Sequence, residues 1–139
     1  MVEGSAFVAA PSGGMTLAQM GAEVIRFDQL GGGIDYKRWP LTEDGISLYW
    51  NGLNRGKKSV VADLRAPEIQ NLLSELIATS GNFLTNFPSK GWLSYEKLSE
   101  KRSDLVMVSI TGSHDGTTCL LYTSPSPRDR TRSRMPSSA

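Results

Sequence analysis

Apolar positions along this chain follow two rhythms. Between Pro67 and Ser80, residues Ile69, Leu72, Leu73, Leu76 and Ile77 fall at i, i+3, i+4, i+7 and i+8. That is one stripe at the roughly 3.6-residue period of an amphipathic helix. Pro67 suits its first position, Glu68 its first turn, and Gly81 its end. Elsewhere the apolar residues come in short continuous runs of strand length. Val24-Ile25-Arg26-Phe27, Ser59–Asp63, Phe83–Asn86 and Leu105–Ile110 read this way. Ser59–Asp63 and Leu105–Ile110 read as buried strands, and Ser5–Val8 reads as the end of a strand whose start is missing. A short helix is expected after Pro11 through Met15, Leu17, Ala18 and Met20, closed by Gly21. Ser47–Leu53 reads as another, and Ser94 can cap a third that runs to about Arg102. Gln29 to Ile46 has no rhythm. It contains Gly31-Gly32-Gly33 and Pro40, with Tyr36, Trp39 and Trp50 in or beside it, as in a functional loop packed on something.

Strands alternating with helices predict an α/β fold, an open and mostly parallel Rossmann-like sheet with flanking helices. Ligands of such sheets bind at the carboxyl ends of the strands. Here those ends fall at Val8–Ala10, Phe27–Asp28, Asp63–Arg65, Asn86–Phe87 and Thr111–Ser113.

Composition changes the picture in one place. The chain has 139 residues, 15 basic and 14 acidic, with a net charge of +1. The charge is uneven: Cys119–Ala139 holds four arginines and one aspartate, leaving 11 basic against 13 acidic residues before it. Three readings of that tail stand open: a disordered Arg/Ser/Pro segment, an RNA-binding arm, or no natural protein at all. The run Cys119 to Asp129 resembles the translation of a sequencing adapter, so residues 1–118 are expected to carry the domain and 119–139 to be a non-native tail. One Cys excludes an internal disulfide framework, and one His leaves a His/Cys zinc site short of ligands. No metal site is expected. No apolar run approaches the roughly 20 residues of a membrane span. The first residues do not form a secretory signal.

The motifs in the chain have plainer alternatives. Gly52-Leu53-Asn54-Arg55-Gly56-Lys57-Lys58-Ser59 fails as a P-loop on spacing, and it precedes a strand instead of following one. Its lysines remain candidates for point charges near a phosphate. Asp28 ends a strand as the ribose-binding acid of a dinucleotide fold does, but the turn Ala9–Gly14 lacks the glycine spacing. His114 and Asp115 are adjacent, with no nucleophile elbow to complete a triad. Glu3, Asp28, Asp35, Asp44 and Asp63 are scattered, and no acid/base pair stands out. Residues alone thus describe a ligand-binding α/β half without catalytic machinery.

The residue strings add more. Ser5–Pro11, Gly14–Asp28, Asn54–Val60, Asp63-Leu64-Arg65, Leu84–Phe87 and Ser109–Gly112, in this order and spacing, resemble the opening of class III CoA-transferases of CaiB/BaiF type. Gly31–Pro40, Asn86–Tyr95 and the Gly112–Gly116 turn resemble a subgroup that moves CoA between the two carboxyls of one C5 dicarboxylate.

The resemblance implies an acyl-CoA thioester substrate and no tightly bound cofactor, coenzyme A being part of the substrate. It implies a cytoplasmic enzyme, intertwined homodimers, and neither nucleic acid nor membrane as partner. It implies covalent catalysis in which an Asp attacks the thioester to give an aspartyl–acyl anhydride and CoA thiolate. The family's Asp lies beyond the matched segment, so no catalytic residue is expected here, and Asp115 does not align with it. The chain then reads as the N-terminal part of a larger enzyme, with further residues missing before Val2. The family's CoA contacts fall on Val8, Ala9, Ala62, Asp63, Leu64, Arg65, Asn86 and Phe87. Gln29 stands where relatives place a nucleotide-contacting Arg. The competing expectations are a non-catalytic Rossmann-like nucleotide-binding module and a small RNA-binding protein that uses the tail.

Overall fold

The computed structural model describes residues 1–112. His114, Asp115 and the tail 119–139 lie outside the described residues. Five strands, β1 (Val2–Gly4), β2 (Ile25–Gln29), β3 (Lys58–Ala62), β4 (Asn82–Thr85) and β5 (Val106–Ser109), form one sheet in the order β3-β2-β1-β4-β5. Every pairing is parallel. Between them run α1 (Ala9–Gln19), α2 (Leu48–Asn54), α3 (Pro67–Ser80), a 3-10 turn (Gly91–Leu93) and α4 (Tyr95–Lys101). The expected α/β architecture is present.

Local chemistry accounts for the helices. Pro67 opens α3, and Gly81, at φ 70°, ends it in the left-handed region that glycine adopts without a steric penalty. The Ser94 hydroxyl accepts from the Lys97 amide at the start of α4, and Ser47 does the same for Trp50 in α2. Gly21, at φ 97°, follows the last turn of α1.

Strand alternation separates two environments. Val2, Phe27 and Phe83 point to the side of α3 and α4, where they form the core with Leu73, Ile77, Leu93, Leu98 and Leu105. Phe27 is at its centre, with ring centroids 6.2 Å from Phe83, 6.2 Å from Phe87 and 6.1 Å from Trp92. Gly4 must be bare, because a Cβ there would sit 2.4 Å from the Phe27 ring. Glu3, Ser5, Arg26 and Asp28 point the other way, under α1 and α2, and are buried too.

Three expectations are corrected. The first strand is Val2–Gly4, not the end of a strand at Ser5–Val8; residues 5–8 turn into α1, whose cap position Val8 occupies. Its charged residue hid it, and that charge is buried against partners far along the chain. Ser59–Asp63 is not a buried strand. β3 lies at one edge, with Val60 40% and Val61 52% exposed. Leu105–Ile110 is not buried either. β5 forms the other edge, with Val106 56% and Val108 50% exposed. Continuous apolar runs fit strands covered on both faces, but strand order decides which strands receive that cover.

Apolar edge strands offer unpaired backbone to other chains. The purified chain is expected to self-associate with rising concentration, as read by light scattering. A monomer at every concentration would count against this.

Candidate functional site

The strand order reverses direction between β1 and β4, the topological switch point at which open α/β sheets bind ligands. A cleft of about 110 Å³ opens there, lined by Ser5, Ala6, Asp28, Gln29, Gly33, Ile34, Leu64 and Phe87.

The turn after β1 is built by side chains from distant segments. Asn86, just past β4, grips Ala6 twice: the Ala6 amide donates to Asn86 Oδ1 at 2.9 Å, and Asn86 Nδ2 donates to the Ala6 carbonyl at 2.7 Å. Thr85 Oγ1 donates to the Gly4 carbonyl at 2.7 Å and accepts from the Phe87 amide at 2.9 Å. On the other side, the Phe7 amide donates to Asp35 Oδ2 at 2.5 Å. Phe7 has φ 63°, the one non-glycine residue in the left-handed region among those described.

Beneath the cleft lies a buried charge network. The Arg26 guanidinium donates from Nε to Asp28 Oδ2 at 2.8 Å and from Nη2 to Asp28 Oδ1 at 2.9 Å. It also donates to the Ser5 carbonyl at 2.8 Å, the Ser5 hydroxyl at 3.1 Å, Asn54 Oδ1 at 3.0 Å and Glu3 Oε1 at 3.3 Å. The Lys57 ammonium straddles the Glu3 carboxylate, 2.9 Å from Oε1 and 2.8 Å from Oε2. It donates as well to the Pro11 carbonyl at 2.8 Å and Asn54 Oδ1 at 3.0 Å. Two cations thus face two carboxylates. Burial pushes the Lys57 ammonium below the usual lysine range, while its bond to Glu3 and the Glu3 charge oppose that shift. Gly33 lets the loop lie against this network, since a Cβ there would sit 2.6 Å from Asp28 Oδ1.

The residues expected to contact a ligand divide. Leu64 and Phe87 line the cleft, and Asn86 shapes its wall through Ala6. Val8 and Ala9 are exposed at the start of α1, on the turn that leaves the cleft. Ala62 ends β3 opposite Gln29. Asp63 Oδ1 accepts from the Arg65 amide at 3.0 Å, ordering the loop before α3, and Arg65 is exposed. Ala62, Asp63 and Arg65 are not among the cleft's lining residues.

Other sequence candidates are accounted for by the protein itself. Lys57 is committed to the network, and Lys58 pairs at the surface with Glu23 at 2.8 Å. Asp28 is held bidentately by Arg26. Among the described residues, no group of three or more His, Cys, Asp or Glu could hold a metal ion, and no helix is long and apolar enough to cross a membrane.

Sequence reasoning missed Arg26 and named Glu3 and Asp35 only as scattered carboxylates without a role. A signal was there for Arg26: a charge inside the run Val24–Phe27 requires a buried partner. Asp35 had no such signal in its irregular surroundings.

The profile of CoA-transferase family III matches residues 1–117. The 2-methylfumaryl-CoA isomerase of Chloroflexus aurantiacus is 59% identical over 128 residues, covering 88% of this chain and 31% of that protein. The succinate–glutarate CoA-transferase of Agrobacterium fabrum is 38% identical over 123 residues, covering 81% and 31%. The crystal structure of a CAIB/BAIF family protein from Brucella suis superposes with a TM-score of 0.69 at 34% identity, covering 80% of this chain and 32% of that one. The chain thus spans about a third of the length of the relatives it matches.

Proposed function

We propose that this chain, which belongs to CoA-transferase family III, is the CoA-binding part of a longer enzyme that moves CoA between carboxyl groups. The observation that carries this reading is the cleft at the β1/β4 switch point, lined by Leu64 and Phe87 and shaped by Asn86. Three of the eight residues expected to meet CoA converge there. Val8, Ala9, Ala62, Asp63 and Arg65 are proposed to meet the more distant parts of so long a ligand. A guanidinium such as that of Arg65 can bind a phosphate bidentately.

The 59% identity to a 2-methylfumaryl-CoA isomerase favours an intramolecular transfer. In it, CoA leaves the C1 carboxyl and returns on C4 of the same C5 dicarboxylate. An Asp carboxylate attacks the C1 thioester carbonyl, the C–S bond breaks, and CoA leaves as a thiolate, so the acyl group stays behind as an aspartyl–acyl anhydride. The thiolate attacks the aspartyl carbonyl of that anhydride, which frees the C1 carboxylate and leaves CoA as a thioester on the Asp. The C4 carboxylate attacks this thioester and expels the thiolate again, and the thiolate then attacks C4 of the new anhydride, which forms the C4 thioester and frees the Asp. That Asp is supplied from outside the described residues. The part played by residues 1–118 is to hold CoA, with no tightly bound cofactor. The whole enzyme is proposed to be a cytoplasmic, intertwined homodimer, and residues 119–139 to be foreign to it.

Two measurements test the reading. Calorimetric titration of the purified chain with CoA should give saturable binding; heats no larger than dilution at millimolar CoA would overturn CoA recognition. The gene should continue past the codon for Thr118 into a several-hundred-residue frame whose product isomerises 2-methylfumaryl-CoA. A stop near codon 139 would leave only a non-catalytic binding module.

A further inference from the structure

Two of the segments that line the cleft are far apart in sequence: Ser5 and Ala6 form one wall, and Gly33 and Ile34 form another. The residue after the first wall and the residue after the second are bonded to each other: the Phe7 amide donates to Asp35 Oδ2 at 2.5 Å. The Asp35 carboxyl is buried, and its other oxygen accepts from Arg38 Nη1 at 3.1 Å. Phe7 needs such a hold. Its φ of 63° is a conformation that L side chains rarely adopt, and its side chain is half exposed, so packing alone does not fix it.

From this juxtaposition we propose that Asp35 is a positioning residue: it ties the strained β1–α1 turn to the Gly31–Arg38 loop and so sets the distance between the cleft walls. This deepens the CoA-binding reading and rests on it. Without the Asp35 acceptor, Phe7 relaxes toward negative φ, the Ser5–Ala6 wall moves, and the cleft loses its shape. A glycine at position 7 would reach the positive φ without the steric penalty that the tie has to offset.

The experiment uses four forms of the 139-residue chain: wild type, Asp35→Ala, Asp35→Asn and the double variant Phe7→Gly/Asp35→Ala. CoA affinity is measured by calorimetry, and amide hydrogen exchange is followed over residues 5–8 and 33–35. Asp35→Ala should weaken CoA binding about tenfold and raise exchange in both segments, with far-UV circular dichroism unchanged. Asp35→Asn keeps an acceptor and should stay near wild type. The double variant should recover most of the affinity, which loss of a merely stabilising contact would not allow.

Unchanged exchange in Asp35→Ala overturns the proposal, and so does raised exchange with unchanged affinity. If Asp35→Ala does not fold, a double variant that folds and binds supports the tie, and one that does neither overturns it. Failure of the wild type to bind CoA removes the functional reading. Exchange then decides the tie alone, which stands if protection lost in Asp35→Ala returns in the double variant.

Discussion

Replacing Arg26 by Met is expected to destabilise the fold by about 3–5 kcal/mol, the range for leaving buried charges without their partner. Arg26 is 1% exposed, and its guanidinium serves Asp28, Glu3, Asn54 and both Ser5 oxygens. Methionine fills much of the volume and supplies none of the donors. Asp28 then keeps a buried negative charge with no facing cation, while Glu3 retains Lys57. Since small domains hold about 5–15 kcal/mol in all, this is a large part of the margin. Denaturant unfolding followed by circular dichroism would show the midpoint fall steeply. The double variant Arg26→Met/Asp28→Leu should recover part of the loss, because removing both members leaves no orphaned charge there. A single variant that unfolds at the wild-type midpoint would mean that the network contributes nothing.

The second large effect reverses a rule. Within a helix, Gly to Ala normally stabilises by about 1 kcal/mol. Gly14 lies inside α1, yet Gly14→Ala is expected to destabilise strongly. The new Cβ would stand 1.7 Å from Glu3 Oε2 and 2.8 Å from its Cδ. Glu3 is fully buried and held by Lys57 and Arg26, so it cannot swing aside without breaking both ion pairs. The cost of overpacking, about 1–3 kcal/mol, then adds to that of disturbing buried charges. Gly13→Ala is the internal control: its Cβ would meet only Leu84 Cδ2, at an ordinary 3.4 Å. The same helix thus carries two adjacent glycines with opposite expected signs. Thermal melts of the two variants decide it. A Gly14→Ala protein that melts at or above the Gly13→Ala protein would refute the close approach of α1 to the sheet.

Both predictions concern contacts that no local pattern announces. The α3 stripe from Ile69 to Ile77 was legible because its residues report on one another within two turns. Of that stripe, Leu73 and Ile77 are buried while Leu72 is exposed, so periodicity found the helix and only packing chose which of its residues face the core. The candidate site was legible in part. Asn86 and Phe87 stand at a strand end, where sequence order predicts ligand contacts, and the cleft is there. Asp63 stands at a strand end too, but it bonds the backbone of its own loop. The left-handed Phe7 and its hold on Asp35 were illegible, since neither residue type reveals a bond across 28 positions.

What the sequence by itself determined is therefore local: the helices, with the Pro67, Gly81 and Ser94 signals at their ends, four of the five strands, the parallel α/β class, and the family likeness of residues 1–118. Only the tertiary structure decided the order β3-β2-β1-β4-β5, which put Ser59–Asp63 and Leu105–Ile110 at the edges. Only it made a strand of Val2–Gly4 and set Glu3 against Lys57, 54 residues away. The physical reason is range. Helix period, capping and turn preference act between near neighbours. The burial of a charge depends on which distant segment the topology brings to meet it.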